Sequence, residues 1–353
     1  MENLLIQKFS EVNLDDPFFD TLKRDYSEFS EWFKRKADNR ALVLYNDSGF
    51  IEGVLYCKYE SGPGDDTTPR LPNTNHFKVG TFKFNPQQTR RGDRFIKKIF
   101  DYALLSKKHS FSDIYVTIFG NKHPYLFELF KKYGFKHYGI KKTENGTEDV
   151  LLRDLTKING DIHMDYPYVN IRGNNKYLLA IYPEHHTRLF PDSILNNESP
   201  DIVRDISYSN SIHKIYICGM SDVTRFKHGD VLVMYRTGDR KGPAEYRAVA
   251  TSLCMVESIS HINDFRDEND FVDYCIKFSV FNEDELRGFY RESKYPYVIN
   301  FTYNIAFPRR PNRKELADHA GLDRGERWGI MQLSEQQFDK IIELSQLDEN
   351  LLT

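Results

Sequence analysis

The sequence predicts an α+β protein in which a mixed α/β sheet domain is followed by a small β-barrel domain. Its length of 353 residues is more than one ordinary domain needs, so two domains are expected. In the first half, helical and strand patterns alternate. In the second half, many strand patterns are accompanied by few helical ones, which is typical of a barrel. A stretch rich in turn residues lies between the halves.

The first half is predicted to begin with one amphipathic helix, entered at Asp16-Pro17, whose aromatic residues recur at helical spacing. Two strands follow around an Asn-Asp-Ser-Gly turn, and then a long loop and a strand ending at Phe84. A helix follows Gly92. A strand, a helix ended by Gly134 and a hairpin turning at Asn145-Gly146 complete the domain.

The domain boundary is predicted within residues 156–175, a linker short of core pattern and rich in turn residues. The domains are therefore expected at 1–155 and 176–353. In the second domain, five segments have strand patterns. Helices are expected near Glu283 to Ser293, started by Asn282, over 313–322, ended by Gly321, and over 334–345, with Ser334 as cap.

Composition limits the cellular compartment and the ligands that are expected for the protein. The formal net charge of -3 gives no overall basic signature, so any nucleic-acid contact must come from a local patch. The four cysteines are scattered, and buried thiols are the better interpretation. No apolar run is long enough to span a membrane, so we expect a cytoplasmic protein without membrane contact. The sequence leaves the oligomeric state open.

No metal site is predicted. His185 and His186 are adjacent in an apparent strand, where neighbouring side chains point to opposite faces. Two such histidines do not readily share one ion, and no third ligand stands at a suitable spacing.

The strongest motif is the turn between the strand ending at Phe84 and the next helix. Asn85-Pro86, followed by Thr89-Arg90-Arg91-Gly92-Asp93-Arg94, stands in the register of a turn typical of one superfamily. Over residues 1–155 the chain resembles the GNAT acetyltransferases, which implies acetyl-CoA as cofactor and a pyrophosphate held by backbone amides. Gly92 matches the family pattern, whereas Thr89 and Arg94 depart from it. The alternative is an ordinary solvated helix start.

The same resemblance implies roles for further residues. Leu129 to Phe135 looks like the late helix of the family, with Phe130 where a tyrosine often acts as acid. Candidate catalytic residues are therefore Tyr133 and Tyr125 as acids and Glu60, with Glu52 as the alternative, as base. The implied cofactor-binding residues are Phe82, Phe84, Thr89, Arg90, Arg91, Gly92, Asp93, Arg94 and Asn121.

The second half resembles the ASCH and EVE group of PUA-like barrels, in the segments 176–190, 228–259 and 325–338. Relatives of this kind commonly bind RNA or modified bases, which needs positive charge and stacking rings. The alternative is a structural barrel with ordinary surface charge. The candidate nucleic-acid-binding residues are Tyr235, Arg236, Arg240, Lys241, Arg247, Arg327 and Trp328.

Together these resemblances imply an acetyl-CoA-dependent N-acetyltransferase whose PUA-like domain recruits an RNA or an RNA-linked amine. The competing interpretation is a non-catalytic binding protein that keeps a degenerate acetyltransferase fold and a nucleic-acid-binding barrel. A third class, a barrel that modifies or cleaves nucleic acid, would need a clustered acid and lysine pair that the sequence does not display.

Overall fold

The computed structural model describes residues 3–64, 66–85, 91–104, 110–193 and 211–353. The chain forms two compact units, Met1–Met164 and Asp165–Thr353. The division falls inside the stretch 156–175 that the sequence marks as turn-rich.

The first unit is a mixed sheet with helices. Its strands are β1 Asn3–Lys8, β2 Arg40–Tyr45, β3 Ile51–Ser61, β4 Asn75–Phe84, β5 Asp113–Ile118, β6 Lys136–Thr143 and β7 Gly146–Asp154. Its helices are α1 Asp20–Asp25, α2 Phe29–Arg35, α3 Arg91–Leu104 and α4 Pro124–Lys132. The strand order is β1-β2-β3-β4-β5-β7-β6, and among the described strands of this sheet only β4 and β5 are parallel neighbours. The connection between them contains α3, as parallel neighbours require a crossover.

Most predicted elements of the first half are confirmed, with two differences. The single early helix is wrong: Pro17–Phe19 is a 3-10 turn, and α1 and α2 are separated because Tyr26 has an extended backbone. The strand β1 was not predicted, and it pairs with β2 at the edge of the sheet.

The second unit contains another mixed sheet. Its strands are β8 Lys176–Ile181, β9 His213–Cys218, β10 Val231–Arg236, β11 Val249–His261, β12 Tyr297–Ala306 and β13 Ile330–Leu333. Its helices are α5 Pro183–Leu189, α6 Ala244–Arg247, α7 Glu268–Cys275, α8 Glu283–Glu292, α9 Arg313–Ala320 and α10 Glu335–Ser345. The caps expected at Asn282 and Ser334 begin α8 and α10, and Asn312, which was not predicted as a cap, begins α9. All three form capping boxes.

The barrel expected for the second half is not what these strands form. Their order is β13-β8-β10-β11-β12-β9, and among the described strands the two edges, β13 and β9, do not pair with each other. The sheet is therefore open. Its core includes Leu179, Met234 and Phe301, and α7 and α8 pack against each other beside it.

The two adjacent histidines lie on a helix rather than on a strand. Pro183 begins α5, and the His186 side chain is fully buried, with Nε2 2.8 Å from the Thr251 hydroxyl oxygen. The prediction that they occupy opposite faces of a strand is therefore wrong.

None of the described helices is both long and apolar enough to cross a membrane.

Candidate functional site

The gap between β4 and β5 is the main opening in the first sheet. The last pair in their parallel register is Val79 with Val116. β4 continues to Phe84 and β5 to Ile118, and each stays paired along its other edge, with β3 and β7 respectively. No described strand pairs with the inner edges beyond that point. The two strands therefore part and leave peptide groups without a ladder partner.

A bulge in β4 marks the point where the gap begins. Tyr56 pairs with Thr81 and Cys57 with Val79, so Gly80 is an extra residue in β4. A Cβ atom at Gly80 would lie 2.9 Å from Cδ1 of the buried Tyr56 ring, which is closer than a side chain tolerates. Glycine therefore permits the bulge, and the bulge adds peptide groups that the β3–β4 ladder does not use.

A cavity of about 580 Å³ lies at this gap. Ligand pockets for small molecules are typically about 300–1,000 Å³, so the volume fits a ligand of that kind. Three further parts of the unit contribute to its lining: the α1–α2 region, the first turn of α4 and the β6–β7 hairpin. Their polar and aromatic members include Asp25, Tyr26, Glu28, Trp32, Lys122, His123, Tyr125, Asn145 and Glu148.

Two polar side chains of the cavity, Tyr26 and Lys83, have shifted pKa values. The Tyr26 hydroxyl donates to Oε1 of Glu148 at 2.8 Å, and burial, followed by the Glu148 charge, raises the pKa of Tyr26. Tyr26 is therefore a neutral donor. The Lys83 ammonium donates to the Phe18 carbonyl and to the Thr21 hydroxyl, and burial lowers the pKa of Lys83 to about 8.

The helix start predicted to hold a pyrophosphate is built around buried side chains. Arg91 donates to Oε2 of Glu52 at 2.9 Å and to the Asn85 carbonyl at 2.9 Å. Asp93 accepts a 2.5 Å hydrogen bond from Tyr133, and the Arg94 side chain is fully buried. These side chains point into the protein, so any anion at this turn would meet backbone N–H groups rather than these three side chains.

Gly92 has a packing role. A Cβ atom there would lie 2.7 Å from Cδ2 of Leu129 and 3.1 Å from Cζ of Phe84. The glycine thus allows α3 to approach α4 and the end of β4 closely.

The remaining cofactor residues predicted from the sequence are placed differently. Phe82 and Phe84 line the cavity. Asn121 is exposed in the turn before α4, next to the lining residue Lys122. Thr89 and Arg90 lie outside the described residues.

Of the predicted catalytic residues, only Tyr125 lines the cavity, and its side chain is largely exposed. Tyr133 is buried, and its hydroxyl is engaged by Asp93. Glu60 lies 2.5 Å from Lys58 and accepts a hydrogen bond from Tyr115. Although burial alone raises the pKa of Glu60, these hydrogen bonds hold it below its usual value. Phe130 lines the cavity where the family often has a tyrosine.

The predicted nucleic-acid residues do not form one open aromatic groove. Tyr235 and Trp328 are buried, with ring centroids 5.2 Å apart, so neither ring offers a free stacking face. Arg236 is also buried, and Arg247 forms a 2.5 Å ion pair with Asp239. The other three members, Arg240, Lys241 and Arg327, are exposed.

Sequence reasoning missed the Tyr26–Glu148 pair and Lys83 as members of the site. Tyr26 and Glu148 are 122 residues apart in the chain, and their contact depends on the sheet order. The available signal was weak: Glu148 alternates with the apolar residues Val150 and Leu152 along one face of β7.

No protein-family model and no curated protein matches this sequence. Solved structures resemble parts of it. One is ASCH from Zymomonas mobilis, with 11% identity over 48% of this chain and 94% of that chain, at a TM-score of 0.31. Another is NAA60 of Arabidopsis thaliana in complex with acetyl-CoA, with 11% identity over 44% of this chain and 100% of that chain, at a TM-score of 0.32. A third is a GNAT family acetyltransferase from Streptococcus agalactiae, with 10% identity, 44% and 96% coverage and a TM-score of 0.30. Likeness at this level assigns no family.

Proposed function

We propose that the first unit is an acyltransferase that takes its acyl group from acetyl-CoA and transfers it to an amine. The observation that carries the proposal is the parting of β4 and β5 beyond Val79 and Val116, with the Gly80 bulge at its start and a 580 Å³ cavity over it. A gap between parallel strands offers a row of peptide donors and acceptors, which suits an arm that contains amide groups.

The chain's own residues account for binding and orientation. Peptide groups of β4 between Gly80 and Phe84 would hold an amide-containing arm along the gap. An N–H group freed at the bulge would donate to a carbonyl oxygen placed there, and this kind of fixed donor is an effective source of electrostatic stabilisation. The rings of Phe82 and Phe130, 5.0 Å apart, exclude water beside it.

When bound, acetyl-CoA supplies an activated acyl group and a good leaving group. A thiol has a pKa of about 8.5, so a thiolate departs near neutral pH without a strong acid. Proximity and orientation can lower the barrier of such a transfer by about 7–11 kcal/mol. Acyl transfer therefore does not require a tyrosine acid at position 130, nor a free hydroxyl on Tyr133, which is hydrogen-bonded to Asp93.

The test is calorimetric titration of the full chain with acetyl-CoA, comparing Thr117→Trp with a matched control. Thr117 lines the cavity on β5, so an indole there fills the gap. Thr147 is an exposed residue of β7 outside the cavity lining, so Thr147→Trp makes the same change elsewhere in the sheet. We expect micromolar binding by the parent and by Thr147→Trp, and at least tenfold weaker binding by Thr117→Trp.

A folded parent that does not bind acetyl-CoA would overturn the proposal, as would a Thr117→Trp variant that binds as the parent does. Binding without release of CoA in the presence of amines would leave the non-catalytic binding protein as the better description. Recruitment of RNA by the second unit stays a prediction, and the burial of Tyr235 and Trp328 does not favour it.

A further inference from the structure

Glu148 is a buried carboxylate that faces the cavity with a single neutral partner. Only 4% of the residue is exposed, and its hydrogen bond comes from the Tyr26 hydroxyl. Its cross-strand neighbour Lys141 places its ammonium 2.5 Å from Asp66. Within the described ranges, no lysine, arginine or histidine forms an ion pair with Glu148. A buried carboxylate without a cation is costly, because water no longer solvates the charge.

The other acids of the cavity differ from Glu148 in this respect. Asp25 has Lys122 at 3.4 Å and His123 at 3.7 Å. Glu28 is exposed and accepts a 2.8 Å hydrogen bond from the Asn145 amide. Glu148 is therefore the carboxylate in this lining that is both buried and without a positive partner among the described residues. A positively charged group of a ligand would supply the missing partner of the Glu148 carboxylate.

Aromatic side chains line the same cavity. The rings of Phe29 and Trp32 are stacked at 5.6 Å, and Trp32 meets Tyr56 edge to face at 5.9 Å. Leu22 adds an apolar side chain. Flat apolar walls of this kind bury flat apolar groups, and an indole ring also attracts cations.

We propose that the acyl acceptor is a primary amine carried on a small aromatic or similarly flat apolar group. Its ammonium pairs with Glu148, whose orientation is fixed by Tyr26, and its apolar body lies against Trp32. For transfer the ammonium gives one proton to the Glu148 carboxylate, and the free amine attacks the thioester carbonyl. The C–N bond forms as the C–S bond breaks, and CoA leaves as a thiolate that takes up the second proton of the nitrogen. A metal ion is a poor occupant, since one carboxylate and one tyrosine fall short of the ligands that hard cations need. The identification as an acceptor rests on the proposed function, whereas the amine site itself can be measured without a donor.

The experiment is calorimetric titration of the full chain with 2-phenylethylamine and with its uncharged counterpart, 2-phenylethanol. The parent should bind the amine at least about tenfold more tightly, because a hydrogen bond to a charged group is worth that much or more. Glu148→Gln keeps the shape and an acceptor for Tyr26 but removes the charge, so the preference for the amine should disappear while the alcohol binds as before.

Two further variants complete the test. Glu144→Gln alters an exposed residue outside the cavity lining on the same hairpin and should behave as the parent. Trp32→Ala should weaken the amine and the alcohol alike, which checks the aromatic half without touching Glu148. Equal affinity of the parent for both ligands, or an unchanged preference in Glu148→Gln, would overturn the inference.

Titration of the same proteins with acetyl-CoA separates this inference from the proposed function. Glu148→Gln should bind acetyl-CoA as the parent does, which also shows that it is folded. Acetyl-CoA binding without amine discrimination would reject the amine site alone. Glu148-dependent amine binding by a parent that does not bind acetyl-CoA would reject the acyltransferase and leave the amine site in place.

Discussion

Replacing Glu52 by alanine should destabilise the first unit strongly. Glu52 and Arg91 are buried, their charged atoms are 2.9 Å apart, and Glu52 also accepts from the amides of Asn46 and Asn85. The variant leaves the Arg91 guanidinium buried without its carboxylate, and removing one partner of such a pair costs about 3–5 kcal/mol. At roughly 2–4 °C per kcal/mol for a unit of this size, the melting temperature should fall by about 6–20 °C.

The assay is thermal unfolding followed by tryptophan fluorescence. Trp328→Phe serves as the background, so that Trp32 alone reports on the first unit. Glu128→Ala is the control, because it removes an exposed ion pair with Lys131 on α4, which is worth about 0.5 kcal/mol or less. Equal small shifts for Glu52→Ala and Glu128→Ala would refute the reasoning. The double variant Glu52→Leu with Arg91→Met removes both charges and should recover part of the stability.

Two pKa shifts give further predictions. Burial, then the charges of Arg236 and Arg310, lower the pKa of His186 to about 3, against about 6.5 in the unfolded chain. Between pH 6.5 and 3 only the unfolded state takes up this proton, so the free energy of unfolding should fall as the pH drops through this range. Urea unfolding at pH 5 and at pH 7.5 measures this fall, which should be smaller in His186→Gln than in the parent. An equal fall in both proteins would contradict the assignment. Burial lowers the pKa of Lys83 to about 8. The rate of its reaction with an amine-specific reagent should therefore rise with pH with a midpoint near pH 8. A midpoint near 10.4, the ordinary lysine value, would contradict this lowered pKa.

Local patterns predicted individual helices and strands of both units better than the pairing between them. The hairpin of β6 and β7 and the caps of α9 and α10 follow from short-range turn and cap chemistry, so the sequence contains them in full. The early segment was predicted as one helix because its apolar spacing continues through Tyr26, where the backbone leaves the helix. His185 and His186 were assigned to a strand because seven residues of α5 are too few to show a helical period.

Whether the second sheet closes into a barrel or stays open could not be predicted from the sequence, for a different reason. Strand patterns identify which segments are extended, but they do not state which strands lie side by side. For example, β12 pairs with β11 on one edge and with β9 on the other, and both partners are far from β12 in the sequence. The same limit applies to the site. Each member of the Tyr26–Glu148 pair looks ordinary in its own segment, and only the fold brings them together.

The start of α3 at Gly92 has a packing role besides any role in phosphate binding, so Thr117 is the better position at which to test ligand binding. Gly92 lies close to neighbouring side chains, since a Cβ atom there would be 2.7 Å from Leu129 and 3.1 Å from Phe84. Gly92→Glu would therefore also disturb the α3–α4 contact, so a loss of ligand binding in this variant would not by itself identify a phosphate site at the turn. Thr117, by contrast, forms no side-chain hydrogen bond in the described part of the chain and lines the cavity directly. Filling the gap at Thr117 changes the proposed binding surface while leaving the packing of α3 intact, so a loss of acetyl-CoA binding there is attributable to the gap itself.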